Sequence, residues 1–107
     1  MKYFFPLIFF ISGLFAQPIT ASINGFIRDD ASGEPISYAN VFLSNSSLGA
    51  ATNSDGYFVI SEIPLGLYEL NATMIGYAVF KKKVDLSLGE SIRLEIRLKE
   101  EVIKGTE

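Results

Sequence analysis

The segment that most restricts the fold is residues 52–77, TNSDGYFVISEIPLGLYELNATMIGY. Residues 53–56 form a tight-turn motif, because Asn and Asp suit turns and Gly supplies a positive φ at no steric cost. Residues 57–60 then combine aromatic and β-branched side chains, as strands do. In residues 67–74 every second side chain is apolar, namely Tyr68, Leu70, Ala72 and Met74. This period of two predicts a strand with one face in the core and the other in water.

The remaining chain repeats this pattern of short strands between turns. Residues 23–27 are a strand candidate in which Gly25 indicates a bulge or a close backbone approach. Residues 38–43 place Ala39, Val41 and Leu43 on one face and Phe42 on the other, which predicts a strand covered on both sides. Residues 92–99 alternate apolar and charged side chains without a break. Six or seven such strands, without a helical period after residue 16, predict an all-β sandwich.

Three consecutive lysines, Lys81 to Lys83, lie in a further predicted strand, residues 77–86. Neighbouring side chains on a strand point to opposite faces, so the three cannot form one surface. Two interpretations remain. The lysines protect a solvated edge strand from pairing with another chain, or they form part of a patch for an anionic ligand. An exposed edge over residues 81–85 is also a surface on which a protein partner could dock.

The N-terminus predicts export. Lys2 and an apolar run over residues 3–15 have the length of a signal peptide, whereas a membrane anchor needs about 20 apolar residues. We expect residues 1–16 to be removed after Ala16, with Ala21 as a second candidate site. Residues 17–22 then form a lead-in, residues 23–99 the sandwich, and residues 100–107 a linker or a truncated C-terminal end.

Charge and composition exclude several functions. The formal net charge is −3, and removal of Lys2 with the signal peptide makes it −4, so nucleic acid is not an expected partner. The sequence contains no Cys and no His, which excludes nucleophilic triads and zinc sites in their common forms. The carboxylates of Asp29, Asp30 and Asp55 allow a weak calcium site or turn solvation, and we favour turn solvation. We expect no enzyme activity, no cofactor and no metal.

Exposed aromatic side chains would allow carbohydrate binding. The candidates are Phe26, Phe42, Tyr57 and Tyr77. In a small sandwich such side chains more often pack in the core or between domains, so sugar binding is the alternative interpretation.

Five short motifs resemble carboxypeptidase regulatory-like domains. Residues 25–29 (GFIRD) and 33–41 (GEPISYANV) are similar to "G-x-V-x-D … G-E-P-L … A-N-V", and residues 49–58 (GAATNSDGYF) to "G-x-x-T-D-x-x-G-x-F". Residues 64–70 (PLGLYEL) and 75–77 (IGY) are similar to "P-x-G-x-Y-x-L" and "x-G-Y". Asn53 departs from the pattern, where Asp is usual. The residues that carry the resemblance are Gly25, Pro35, Ala39, Val41, Asp55, Gly56, Phe58, Gly66, Tyr68, Leu70, Gly76 and Tyr77.

The resemblance implies a seven-stranded, transthyretin-like Greek-key sandwich without catalysis of its own. Such domains often precede the plug and barrel of TonB-dependent outer-membrane receptors that import nutrients, where they lie in the periplasm. It therefore implies a periplasmic accessory domain of a Gram-negative bacterium that contacts a plug, a barrel or a neighbouring subunit. The alternative is a secreted carbohydrate-binding or adhesion module. In either case the motif residues have structural roles: Gly56 and Gly76 serve positive-φ positions, and the Tyr68 hydroxyl reaches a backbone acceptor at a corner of the sandwich.

Overall fold

A computed structural model of the chain describes residues 18–101, and all structural statements refer to that range. The predicted signal peptide and residues 102–107 lie outside it. Seven strands follow one another along the chain: β1 (Thr20–Asp29), β2 (Asn40–Leu43), β3 (Gly49–Ala51), β4 (Tyr57–Pro64), β5 (Leu67–Thr73), β6 (Phe80–Asp85) and β7 (Ser91–Leu98). The prediction of an all-β sandwich is confirmed.

The strands form two sheets that enclose one core. One sheet has the order β4-β1-β7 and the other the order β3-β2-β5-β6. The pairing is antiparallel throughout except between β1 and β7, which run parallel. The inward-facing side chains of both sheets form a continuous apolar cluster, whose largest fully buried members are Phe58, Ile23, Ile27, Leu43, Ile63, Leu70, Leu86, Ile96 and Leu98.

Gly25 lies in the middle of β1, the central strand of the three-stranded sheet. It is paired with Leu94 of β7 and with Phe58 of β4. A Cβ added to Gly25 would overlap the Leu94 carbonyl oxygen and lie 2.8 Å from its carbon. The position therefore requires glycine because of a close backbone approach, which is one of the two alternatives that the sequence indicates.

A bulge in β4 explains why this strand is longer than the predicted residues 57–60. Ile23 pairs with Ile60, whereas Ala21 pairs with Ile63, so β4 contains one residue more than β1 between the two pairs. Glu62 has a φ of +56° within this step. The extra residue lets both Ile60 and Ile63 face the core, and it breaks the period of two from which a strand is predicted.

Several predicted bounds and faces differ from the structure. β1 begins at Thr20 rather than at residue 23, and therefore includes part of the predicted lead-in as well as Ala21. β6 begins at Phe80 rather than at residue 77, because Tyr77 instead pairs with Glu100 beyond β7.

Two of the predicted faces are wrong. Phe42 is 39% exposed, so β2 is covered on one side only. Asn71 lies on the solvent face of β5 but is 4% exposed. Its amide donates to the Ser44 hydroxyl at 2.7 Å, and this contact covers the side chain. The alternation of β7 is as predicted: Ile96 and Leu98 are buried, whereas Arg93, Glu95 and Arg97 are exposed.

Candidate functional site

The carboxylate of Asp29, at the end of β1, is fully occupied by structural hydrogen bonds. Oδ1 accepts from the backbone N–H groups of Ala31 and Ser32, both at 2.8 Å, and Oδ2 accepts from the Tyr77 hydroxyl at 2.7 Å. These bonds, that of the Ser32 N–H foremost, hold the pKa of Asp29 below its usual value. Asp29 thus closes a turn, as the turn-solvation interpretation predicts. Residues 18–101 contain no cluster of three or more acidic side chains that could hold a metal ion.

Tyr77 joins two motifs that are far apart in the sequence. Its hydroxyl donates to Asp29, 48 residues away, and this bond chiefly raises the pKa of Tyr77 to about 12. The N–H of Tyr77 donates to the Met74 carbonyl at 3.0 Å, across the turn in which Gly76 has a φ of +90°. The Tyr77 ring is half-buried, and its hydroxyl is committed to the hydrogen bond with Asp29.

Thr52 joins two further motifs from a buried position. It is 2% exposed, its hydroxyl donates to the Ile36 carbonyl at 2.7 Å, and its oxygen accepts from the Ala39 N–H at 2.8 Å. These two bonds satisfy backbone groups of the segment that leads into β2, where no strand partner satisfies them. Thr52 thus has a structural role that the sequence pattern did not single out.

Gly56 completes the same corner of the sandwich. It has a φ of +76°, and its carbonyl accepts from the Ile27 N–H at 2.8 Å. A Cβ at this position would lie 2.6 Å from the Ile27 carbonyl oxygen and 3.1 Å from Pro35 Cβ. Pro35 itself forms an isolated bridge with Arg28.

The turn before β4 is capped by Asn53 and not by Asp55. The Asn53 Oδ1 accepts from the N–H groups of Asp55 at 2.8 Å and Tyr57 at 3.0 Å, whereas the Asp55 side chain is exposed. An aspartate at position 53 would supply the same acceptor, which explains why the departure from the family pattern is mild.

The remaining motif residues also serve the fold. The Tyr68 hydroxyl donates to the Pro64 carbonyl at 2.5 Å, across the β4–β5 corner that contains Gly66, so it reaches the backbone acceptor expected of it. Four further motif residues are buried in the hydrophobic core, namely Ala39, Val41, Phe58 and Leu70.

The edge of β6 supports the interpretation of its lysines as edge protection. β6 pairs with β5 alone in the four-stranded sheet and is therefore an edge strand. Lys81, Lys82 and Lys83 are all exposed. Lys82 is paired with the core residue Leu70 and so points to the inner side of the sheet. An inward-pointing charge at an edge opposes pairing with another strand, which disfavours docking by strand addition along residues 81–85.

A cleft of about 670 Å³ lies beside this edge. It is lined by Ser44, Asn45, Leu67, Tyr68, Glu69, Lys83, Val84 and Asp85. Its one carboxylate with a lowered pKa, Asp85, accepts from the Ser87 hydroxyl at 2.6 Å, the main cause, and from the Ser87 N–H at 3.0 Å. A carboxylate stabilised as an anion in this way is a poor general base.

Within residues 18–101, the most exposed aromatic side chain is one that the sequence did not select as a binding candidate. Tyr38 is 73% exposed and has a φ of +62°, so it lies in a turn rather than in the predicted strand over residues 38–43. Together with Asn40, Thr73, Ile75 and the predicted candidate Tyr77 it lines a cleft of about 470 Å³. A left-handed backbone at a non-glycine residue has no strong signal in a sequence, and for that reason Tyr38 resembles a strand residue. Of the predicted candidates, Phe26 and Tyr57 pack against each other with their ring centroids 5.1 Å apart.

Residues 18–101 contain no helix that is long and apolar enough to cross a membrane.

Solved structures with a similar fold come from several bacteria. A chain of a type II cohesin–X-dockerin complex from Acetivibrio cellulolyticus aligns with a TM-score of 0.64 and 22% identity, over 75% of this chain and 58% of that one. The pilus 2b backbone protein of group B streptococcus aligns with a TM-score of 0.61 and 16% identity, over 76% of this chain and 41% of that one.

A third similar structure is a candidate carbohydrate-binding protein from Bacteroides uniformis. It aligns with a TM-score of 0.56 and 16% identity, over 77% of this chain and 42% of that one. The chain spans about half of the length of these proteins, and at such identities the similarity shows a shared sandwich fold.

No curated protein matches the sequence. The family model of the CarboxypepD_reg-like domain, in contrast, matches residues 23–107, which includes every strand from the middle of β1 onward. The motifs that resemble this family in the sequence meet in the fold through Asp29 and Tyr77, through Thr52, and at Gly56. The chain therefore belongs to the CarboxypepD_reg-like domain family.

Proposed function

We propose that the chain is a non-catalytic, exported interaction domain that forms the N-terminal extension of a TonB-dependent outer-membrane nutrient receptor. The observation that carries this proposal is the family match over residues 23–107, preceded directly by a segment with the pattern of a signal peptide. In this arrangement the sandwich lies in the periplasm and acts by contact with the plug, the barrel or a neighbouring subunit.

The structure supports a role in contact rather than in catalysis. The polar motif side chains of Asp29, Thr52, Tyr68 and Tyr77 are all committed to hydrogen bonds within the domain. The outer faces of the two sheets carry the side chains that remain free for a partner. Because β6 is protected against strand addition, we place docking on a sheet face and not on this edge.

The reading frame downstream of codon 107 in the native genome tests the proposal. We expect the frame to continue into a plug and a membrane barrel. In-frame deletion of the codons for residues 17–99 should then leave the barrel in the outer membrane but change uptake of its nutrient. A stop codon directly after Glu107, or a continuing frame without barrel strands, would contradict the proposal.

A specific observation supports carbohydrate binding as a second function. The exposed Tyr38 ring lies beside the polar side chains of Asn40 and Thr73 in one cleft, and an aromatic ring with nearby hydrogen-bonding groups suits a sugar. A glycan array with the purified chain tests this function. If it holds, Tyr38→Ala should abolish retention, whereas Phe42→Ala, which removes another exposed aromatic ring, should preserve it. Absence of any retained glycan would exclude this function.

A further inference from the structure

The arginines of this chain are concentrated on one surface. The sequence contains three, and all three lie on the outer face of the three-stranded sheet: Arg28 on β1, and Arg93 and Arg97 on β7. The lysines of β6 belong to the other sheet. Because the whole chain carries a net charge of −3, this face differs in sign from the molecule to which it belongs.

The strand register brings two of the arginines together. β1 and β7 run parallel with Arg28 directly opposite Arg97. The one ion pair within residues 18–101 joins Arg93 to Glu95, at 3.8 Å, so neither Arg28 nor Arg97 has a carboxylate within that distance in this part of the chain. Arg28 donates one hydrogen bond, to the Gly33 carbonyl at 3.3 Å. Like charges in opposite positions of a sheet are destabilising, and a bound anion would relieve that repulsion.

Phe26 holds two of the guanidinium groups in place. The Cζ atoms of Arg28 and Arg93 each lie 5.5 Å from the centroid of its ring, and Tyr57 packs against the same ring. Cation–π contacts restrict the arginine side chains before any partner arrives. Arginine and aromatic side chains are enriched in protein interfaces and in their energetic hot spots.

We propose that this arginine face, defined by Phe26, Arg28, Arg93 and Arg97, docks an extended acidic segment of a protein partner. Guanidinium groups bind carboxylates through two parallel hydrogen bonds, which a lysine cannot form. One carboxylate binds between Arg28 and Arg97. A second takes the place of the exposed Glu95 at Arg93, four residues from Arg97 along β7 and therefore about 13 Å away. This inference rests on the proposed function, since it names the chemistry of the protein that the domain contacts.

The test is an NMR titration of the purified chain with two synthetic twelve-residue peptides, (Glu-Ser)₆ and its uncharged counterpart (Gln-Ser)₆. The acidic peptide should shift backbone resonances of β1 and β7 around the arginine face, and the uncharged peptide should not. The double variant Arg28→Gln/Arg97→Gln should weaken binding by at least about tenfold, given what hydrogen bonds between charged groups contribute. The matched control, Lys81→Gln/Lys83→Gln, removes the same charge from the other sheet and should change the affinity less than twofold.

Two further measurements separate this geometry from general charge attraction. Arg28→Lys/Arg97→Lys keeps the charge but loses the bidentate bonds, so it should bind more weakly than the native chain. Arg97→Gln should raise the Tm of the free domain, because it removes the repulsion from Arg28. The proposal would be overturned if Arg28→Gln/Arg97→Gln and Lys81→Gln/Lys83→Gln weakened binding equally. It would also be overturned if Arg28→Lys/Arg97→Lys bound as tightly as the native chain, or if the resonance shifts were centred on β6.

Other ligand classes are distinguished in the same titration. Tighter binding of polygalacturonate, or of vesicles that contain anionic lipid, than of the acidic peptide would contradict a protein partner. If the acidic peptide does not bind the arginine face but the frame downstream of codon 107 encodes a receptor, the proposed function stands and the docking surface lies elsewhere. Success with a stop codon at that point would instead support an acidic partner outside such a receptor.

Discussion

At the scale of single residues, the fold depends on a few buried polar side chains that join distant motifs. Thr52 is the clearest case, because its one hydroxyl satisfies two backbone groups. Thr52→Val keeps the shape but leaves both groups unpaired, so it should lower the free energy of unfolding by about 1–3 kcal/mol, measured by urea denaturation. Thr52→Ser keeps the hydroxyl and should cost about 1 kcal/mol, the value of one buried methyl group. Equal losses for the two variants would show that the hydrogen bonds do not matter.

The bond between Tyr77 and Asp29 predicts a dependence of stability on pH. Asp29 has a lowered pKa in the folded state, so its contribution is present at neutral pH and is lost as the pH falls through about 4 and below. Tyr77 has a pKa raised to about 12, so its contribution is present below about pH 10 and is lost as the pH rises through about 12.

Tyr77→Phe removes this bond and therefore tests the predicted loss of stability at both acid and alkaline pH. The difference in Tm between the native chain and the variant should be largest between about pH 5 and pH 9, and should narrow on either side. Thermal denaturation followed by circular dichroism measures it. Tyr57→Phe, which removes a hydroxyl without a hydrogen bond within residues 18–101, is the control and should lower the Tm less at pH 7. A constant Tyr77→Phe difference from pH 3 to pH 11 would contradict this account.

At the scale of strands, the contact between β1 and β7 depends on Gly25. Gly25→Ala places a methyl group against the Leu94 carbonyl, which forces the two strands apart and should cost about 1–3 kcal/mol. Asn24→Ala, on the opposite face of the same strand, should change stability by less than about 0.5 kcal/mol. Chemical denaturation compares the two, and equal values would show that the close approach can relax at little cost.

The strands that follow strict alternation could be predicted from the sequence, and those with local irregularities could not. In β5 and β7 apolar and polar side chains alternate without interruption, and this alternation correctly predicts which side chains face the core, with Asn71 as the exception. The extension of β4 could not be predicted because the bulge at Glu62 interrupts the alternation. The turn at Tyr38 could not be predicted because it depends on a left-handed backbone at that residue. Both depend on the backbone conformation of a single non-glycine residue, for which the sequence has no strong signal.

The arginine face could not be predicted for a different reason. Arg93 and Arg97 share a face by alternation alone, but their position beside Arg28 depends on the parallel pairing of the first strand with the last. That pairing joins residues about 70 positions apart, and the register between them is set by packing of the whole sandwich.

At the scale of the whole molecule, the fold bears on where the predicted signal peptide would be cleaved. β1 begins at Thr20 and contains Ala21, which is 3% exposed and paired with Ile63. Cleavage after Ala16 leaves β1 intact, whereas cleavage after Ala21 removes its first two residues. We therefore expect the mature chain to begin at Gln17, and the intact mass of the protein purified from the periplasm measures this. A mass that corresponds to a start at Ser22, or to the unprocessed chain, would contradict the expectation.

The parallel arrangement of β1 and β7 also determines how the domain responds to tension. Because the two strands run in the same direction over eight residue pairs, from Ser22–Ser91 to Asp29–Leu98, the chain enters the sandwich at one end and leaves it at the other. A force that pulls the two ends apart acts along these strands and loads their hydrogen bonds in shear, all together, rather than opening them one by one. A force applied between the first and the last strand would therefore be resisted by eight residue pairs whose hydrogen bonds must break together.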